Sequence, residues 1–156
     1  MFTIKKILCP TDFSEPSYVG LKTANDLAAH FSAELILVHV VTPFHYPGPP
    51  GAVGTLGFNP APYFEEMVEA SEKSLTEVAR NKISPDLSAR TTLLKGNAVD
   101  QIVNLAQSEK VDMIVTATHG WTGWRRFISG SVAERVVRHA TCPVLTVPAP
   151  EGAQEE

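Results

Sequence analysis

No stretch of this 156-residue chain approaches the roughly 20 consecutive apolar residues that a membrane-crossing helix needs. Residues 1–6 carry no long apolar core of the kind a secretory signal uses. Cysteine is scarce: Cys9 and Cys142 are the only two. Neither stands in a CxxC, which argues against a zinc site or a thioredoxin-type motif. Both flank predicted strands and read as buried free thiols, consistent with a reducing, cytoplasmic setting. Positive charge is not in excess. Thirteen basic and seventeen acidic residues give −4, so nothing advertises a nucleic-acid or membrane surface. Arg125-Arg126 is a basic pair too short to track a phosphate backbone. The standard phosphate loops are also missing: there is no GxxxxGK[ST], and no GxGxxG follows the first predicted strand.

What is present suits one domain with a full core and is hardly enough for two. The composition, 44% hydrophobic and 19% charged, is that of an ordinary globular protein. Residues 4–9 read as a short buried strand ended by Pro10-Thr11-Asp12-Phe13-Ser14. Ser14 is placed to cap a helix and Pro16 sits in its first turn, where a missing N–H does no harm. Tyr18, Leu21, Ala24, Ala28 and Phe31 then share one helical face. Residues 34–41 are nearly continuous apolar and β-branched, the mark of a strand covered on both faces. His39 within it reads as a hydrogen-bonded core histidine. Phe64, Met67, Val68, Ser71, Leu75 and Val78 mark a second helix, ending near Pro85. Residues 88–95 form a strand. Asn97 is placed to cap a third helix with Val99, Ile102, Val103 and Ala106 on its face. Residues 111–117 and 143–147 read as the last strands, with a fourth helix between them marked by Val132, Val136, Val137 and Ala140. From Pro148 onward the chain reads as a frayed polar tail.

Residues 42–62 differ in character. Prolines at 43, 47, 49, 50, 60 and 62 alternate with glycines at 48, 51, 54 and 57. The triplet spacing is far too short for a collagen helix, and a long flexible loop is expected.

Strict alternation of strands and helices predicts an α/β fold: a single-domain, doubly wound, five-stranded parallel sheet with helices on both faces. The expected order is 3-2-1-4-5, in which the third connection reverses direction. The ligand crevice of such a sheet lies at the carboxyl ends of the strands where the order reverses. Those ends are Pro10-Thr11-Asp12 and Ala117-Thr118-His119-Gly120, with Val40 beside them. After the fourth strand a loop closes on Gly130-Ser131, where the fourth helix begins. A glycine-bearing loop running into a helix N-terminus aims unpaired N–H groups and the positive end of a helix dipole at one spot, which suits a phosphate.

These residues resemble the universal stress protein family over about residues 5–147. The likeness is carried by Lys6-Ile7-Leu8-Cys9-Pro10-Thr11-Asp12-Phe13-Ser14, Leu37-Val38-His39-Val40, Gly96-Asn97-Ala98, His119-Gly120, Gly130-Ser131-Val132-Ala133-Glu134 and Cys142-Pro143-Val144-Leu145. The combination is specific although no single piece is. Nucleotide-binding members carry G-x2-G-x9-G-[ST]; here the second and third glycines and the serine match, and the first glycine is Ala117. A glycine there either supplies φ > 0 or lets a phosphate approach the backbone. The first need would distort the loop, and the second would weaken binding.

The resemblance implies an adenine-nucleotide α-hydrolase-like fold over residues 1–148, a disordered tail at 149–156, and binding of ATP, AMP or another adenine nucleotide. It implies that Asp12 accepts hydrogen bonds from the base or ribose side, with Pro10, Thr11 and Val40 lining the base pocket. Thr116, Ala117, His119 and Gly120 would border the ribose and phosphates, and Gly130, Ser131 and Val132 would present N–H groups and a hydroxyl to the phosphates. Mg²⁺ is expected, if at all, on the phosphates, with no protein ligands of its own. Each residue also has a plainer reading: Asp12 as a turn cap, Ser131 as an N-cap, His119 as a surface histidine, Thr116 as packing. A Ser131–His119–Asp12 hydrolytic triad is disfavoured because no G-x-S-x-G elbow is present. No general base is evidently placed to activate water, so ATP hydrolysis is expected to be slow at most. The expected role is a regulatory module in the stress response. The alternative is a dimeric interaction module that has lost nucleotide binding. The resemblance implies a homodimer through the last strand, between Val144 and Val147, and the loop at 42–62 could close over a nucleotide. Trp121, Trp124 and Phe127 would serve an interface, cover the pocket or pack on the fourth helix.

Overall fold

The computed structural model describes residues 3–43, 59–118 and 132–149. Its elements are β1 (Lys6–Pro10), α1 (Glu15–Phe31), β2 (Glu34–Val41), α2 (Ala61–Lys82), β3 (Ala89–Lys95), α3 (Ala98–Ser108), β4 (Met113–Thr118), α4 (Val132–His139) and β5 (Val144–Pro148). The five strands form one parallel sheet in the order β3-β2-β1-β4-β5, as the alternation predicts.

The sheet separates two cores. Ile7, Cys9, Leu35, Leu37 and Val115 point to one face, where Leu21, Ala24 and Ala28 of α1 and Leu75 and Val78 of α2 cover them. Leu8, Ile36, Val38 and Ile114 point to the other, under Val99, Ile102 and Ala106 of α3 and Val136 of α4. Alternation along the inner strands β1, β2 and β4 thus feeds both layers, which is why these strands are dominated by apolar residues. Burial pushes the Cys9 thiol up to about 12, so it stays protonated and serves as core filling. Cys142 is half-buried, and burial raises its thiol as well.

Several details differ from the sequence reading. Phe31, Met67 and Val137 are exposed. Their helices turn Ser17, Gly20, Ser71 and Ala133 inward, small residues that let each helix sit close to the sheet. Helix α2 begins at Ala61, inside the stretch assigned to the loop; Pro62 falls in its first turn, where proline costs no hydrogen bond. Pro148 closes β5 and is not part of a tail, and the Ala149 amide donates to the Thr118 carbonyl at 3.0 Å. Gly96, at φ +132°, makes the turn out of β3, and Asn97 caps α3 by accepting from the Asp100 amide.

The amino ends of the strands are tied by charge. Arg90 pairs with Glu34 (2.8 Å) and Glu109 (2.7 Å), and Lys6 lies 3.5 Å from Glu109. The Asp112 carboxylate accepts from the backbone amides of Lys5 at 2.8 Å and Lys6 at 2.9 Å. This rim joins β1, β2, β3 and β4 at the end of the sheet opposite the expected crevice.

Candidate functional site

At the carboxyl end of β1 the pairing with β2 runs one residue past Pro10: the Thr11 amide donates to the Val38 carbonyl at 2.9 Å. The chain then turns into α1 through a set of hydroxyl bonds. The buried Thr11 hydroxyl accepts from the Phe13 amide at 3.1 Å and lies 2.9 Å from the Ser17 hydroxyl. Ser17 gives its own proton to the Ser14 carbonyl at 2.8 Å, so Thr11 is the donor to Ser17. Ser14 is the N-cap, its Oγ accepting from the Ser17 amide at 3.3 Å. The Ser14 hydroxyl and amide both donate to Oδ1 of Asp12.

Asp12 is exposed. Partial burial pulls its carboxyl upward, but the hydrogen bonds from the hydroxyl and amide of Ser14 outweigh that effect and hold it below the ordinary carboxylate range. It is therefore ionised at neutral pH. Tyr18, one turn into α1, is pushed up by burial and then by the negative field of Glu15 and Asp12. Phe13 takes φ +66°, the left-handed region that costs a non-glycine residue about 1–2 kcal/mol. His39 braces it: the two ring centroids lie 4.3 Å apart, and His39 Nδ1 is 2.7 Å from the Thr11 carbonyl. A carbonyl only accepts, so Nδ1 carries the proton.

Strand β4 lies directly beside β1, with Ile7 opposite Met113 and Leu8 opposite Ile114. Counted along that register, Pro10 is level with Thr116 and Thr11 with Ala117. Thr116 is buried and Ala117 half-buried, paired with Thr146 and Val147 of β5. Ala117 is thus extended sheet backbone and not among the residues of positive φ, which removes the left-handed need considered for this position. Helix α4 starts at Val132, whose side chain is exposed.

The family model for the universal stress protein family matches residues 3–148. The chain belongs to the universal stress protein family. It is 36% identical over 147 residues to universal stress protein MJ0531 of Methanocaldococcus jannaschii, covering 94% of this chain and 84% of that one. It is 32% identical to MJ0577 of the same organism, covering 92% of this chain and 94% of the relative. The solved structure of MJ0577 superposes with a TM-score of 0.76 at 26% identity, over 96% of this chain and 99% of that one. A universal stress protein solved in complex with cAMP shares the fold with a TM-score of 0.65 at 23% identity, over 94% and 98% of the two chains. One from Archaeoglobus fulgidus in complex with dAMP gives 0.58 at 21%, also over 94% and 98%.

Within this universal stress protein, Pro10, Thr11, Asp12, Thr116 and Ala117 gather at the carboxyl ends of the adjacent strands β1 and β4. Val40 lies level with Asp12 on β2, counted from the Pro10–Val38 pair. His119, Gly120, Gly130 and Ser131 lie outside the described residues, as do Trp121, Trp124 and Phe127. Asp12 does cap the turn, as its plainer reading has it. Ser17, Phe13 and Gly20 were missed by the sequence reading. Ser17 was signalled by its position three residues after the Ser14 cap, and Gly20 by standing inside a helix. Among the described residues no three His, Cys, Asp or Glu side chains cluster to hold a metal, and no helix is long and apolar enough to cross a membrane.

Proposed function

We propose that this universal stress protein binds an adenine nucleotide, ATP in the first instance, in the crevice at the carboxyl ends of β1 and β4, and works as a regulatory module of the stress response. The observation that carries the reading is the ionised, solvent-facing Asp12 fixed on the Thr11–Ser14–Ser17 hydroxyl chain at the point where the strand order reverses. An ionised carboxylate has about four lone-pair sites, so the two bonds from Ser14 leave capacity for ribose hydroxyls or a base amino group. Pro10 and Val40, both half-buried, offer apolar wall for the base. The negative field of Asp12 and Glu15 repels phosphates, which sets the base and ribose at this end. The phosphates then lie toward Gly130, Ser131 and the amino end of α4, where backbone N–H groups and the helix dipole attract them. Mg²⁺ would come with the phosphates. Ala117, His119, Gly120 and Thr116 border the path between the two ends.

Calorimetric titration with ATP, AMP and cyclic AMP tests this reading. ATP binding that Asp12→Ala and Ser131→Ala each weaken about tenfold or more supports it; no binding of any of the three up to millimolar ligand removes it.

A second activity rests on the sheet edge. Strand β5 is an outer strand, Leu145 on it is exposed, and Val132 and Val137 on the neighbouring α4 are exposed as well. We propose that the protein forms a homodimer through residues 144–147, which would cover this edge. Sedimentation at micromolar concentration checks it: a dimer that Leu145→Lys dissociates is expected, and a wild-type monomer contradicts it.

A further inference from the structure

Gly20 stands mid-helix in α1, on the side that faces β4. A Cβ placed on it would lie 3.0 Å from the Ala117 amide nitrogen, 3.3 Å from the Ala117 Cβ and 3.4 Å from the Thr116 carbonyl carbon. The helix therefore touches the strand backbone directly, and it does so at the residue that carries a methyl in the first place of the glycine motif. That methyl projects toward α1. Along β4, Ile114 belongs to the core under α3 and α4, and Val115 to the core under α1 and α2. Alternation puts Thr116 on the first side and Ala117 on the second. One methyl fits between helix and strand here, and Ala117 supplies it.

We infer that Gly20 is a positioning residue for the nucleotide crevice: its missing side chain accommodates the β4 backbone at Ala117 together with the Ala117 methyl and so keeps α1 seated on β4. The inference rests on the nucleotide reading above. The coupling runs through α1. Ser17 lies one turn before Gly20 and is bonded to Thr11 and Ser14, and Ser14 holds Asp12. A helix is stiff over one turn, so lifting α1 off β4 at residue 20 carries Ser17, Ser14 and Asp12 away from the end of β4. The Ala117 methyl belongs, on this reading, to the helix–sheet contact, while the Ala117 backbone borders the crevice.

The test is a four-member set: wild type, Gly20→Ala, Ala117→Gly and the double variant. Its two readouts are ATP affinity, measured well below the melting point, and Tm without nucleotide. Gly20→Ala pinches its new methyl between the amide and the methyl of Ala117. The expected result is about a tenfold loss of affinity and a lower Tm, although helix propensity alone would raise Tm. Adding Ala117→Gly removes the 3.3 Å methyl contact but leaves the 3.0 Å approach to the backbone amide, so affinity recovers in part, to a value between the single variant and wild type. Ala117→Gly alone lowers Tm by about 2–4 °C, since two facing glycines leave a void and loosen the strand. Ile102→Val, buried on α3, controls for a general loss of stability; it lowers Tm without moving affinity. Gly20→Ala that binds ATP as tightly as wild type, or a double variant no better than Gly20→Ala, overturns the inference. A wild-type protein that binds none of ATP, AMP and cyclic AMP overturns the nucleotide reading instead; the Tm series then still decides the packing, which fails if Gly20→Ala melts at or above wild type.

Discussion

The two ends of the sheet are finished differently. At the amino end Arg90, Glu34, Glu109 and Lys6 neutralise one another, and Asp112 is taken up by two backbone amides. Charge there meets opposite charge and the rim is closed upon itself. At the carboxyl end the chain is held by the hydroxyls of Thr11, Ser14 and Ser17 and by the ring of His39. The one charge they carry, Asp12, faces solvent. Strain is also on this side, in the left-handed Phe13. A rim that spends its charges on itself holds a fold together, whereas a rim that fixes a solvent-facing carboxylate and a strained backbone is prepared to meet something else.

The largest effect that should separate the two ends comes from Thr11→Val. It leaves the Phe13 amide without its acceptor and Ser17 without its donor in a buried place. Urea unfolding should show a loss of about 2–3 kcal/mol, together with weaker ATP binding. Asp112→Ala strips two amides of a charged acceptor at a wetter site, so about 1–2 kcal/mol is expected, with ATP affinity unchanged. Arg90→Ala should cost less still, about 1 kcal/mol or under. Its ion pairs are partly exposed, so the difference from wild type should shrink in molar salt. An ATP affinity that follows Arg90→Ala as strongly as Thr11→Val would erase the contrast between the rims.

The smallest effect is a pH dependence. The Asp12 carboxyl is depressed in the folded state, so its contribution to stability is present above the unfolded value near 4 and is lost as pH falls through the depressed one. Asp12→Asn keeps an acceptor for Ser14 but not the charge. Wild type should therefore melt about 1–2 °C above Asp12→Asn at pH 7, and the gap should close below about pH 4. A gap that widens toward acid would show that the carboxylate is not held as described.

Most of the fold was legible because it depends on repeated signals. Five strand-like runs interleaved with four helical spacings give the parallel sheet, and the handedness of its crossovers leaves few orders. Caps at Ser14 and Asn97 were legible because a hydroxyl or amide before a helix has few other uses. His39 read as a hydrogen-bonded core histidine and makes that bond, to Thr11. The rest depended on contacts between distant segments. Nothing in Phe13 predicts a left-handed backbone; His39, 26 positions on, packs against it. Gly20 reads as a weak helix residue until Ala117 is seen beneath it. The alanine in the glycine motif read as a departure at the ligand, whereas its strand geometry turns it toward α1. Val137 looked as apolar as Val136, and only the seating of α4 on the sheet separates them. Pro148 looked like the start of a tail because proline breaks ladders, yet an outer strand accommodates it.

The claim on which the functional reading depends is that ligand meets the carboxyl rim of the sheet. Backbone NMR of the labelled protein titrated with ATP measures this directly. Amide shifts should move at Thr11, Asp12, Ala117 and Val132, while Lys6, Arg90, Glu109 and Asp112 at the opposite rim stay still. Shifts confined to the amino rim, or none at millimolar ATP, would contradict the account.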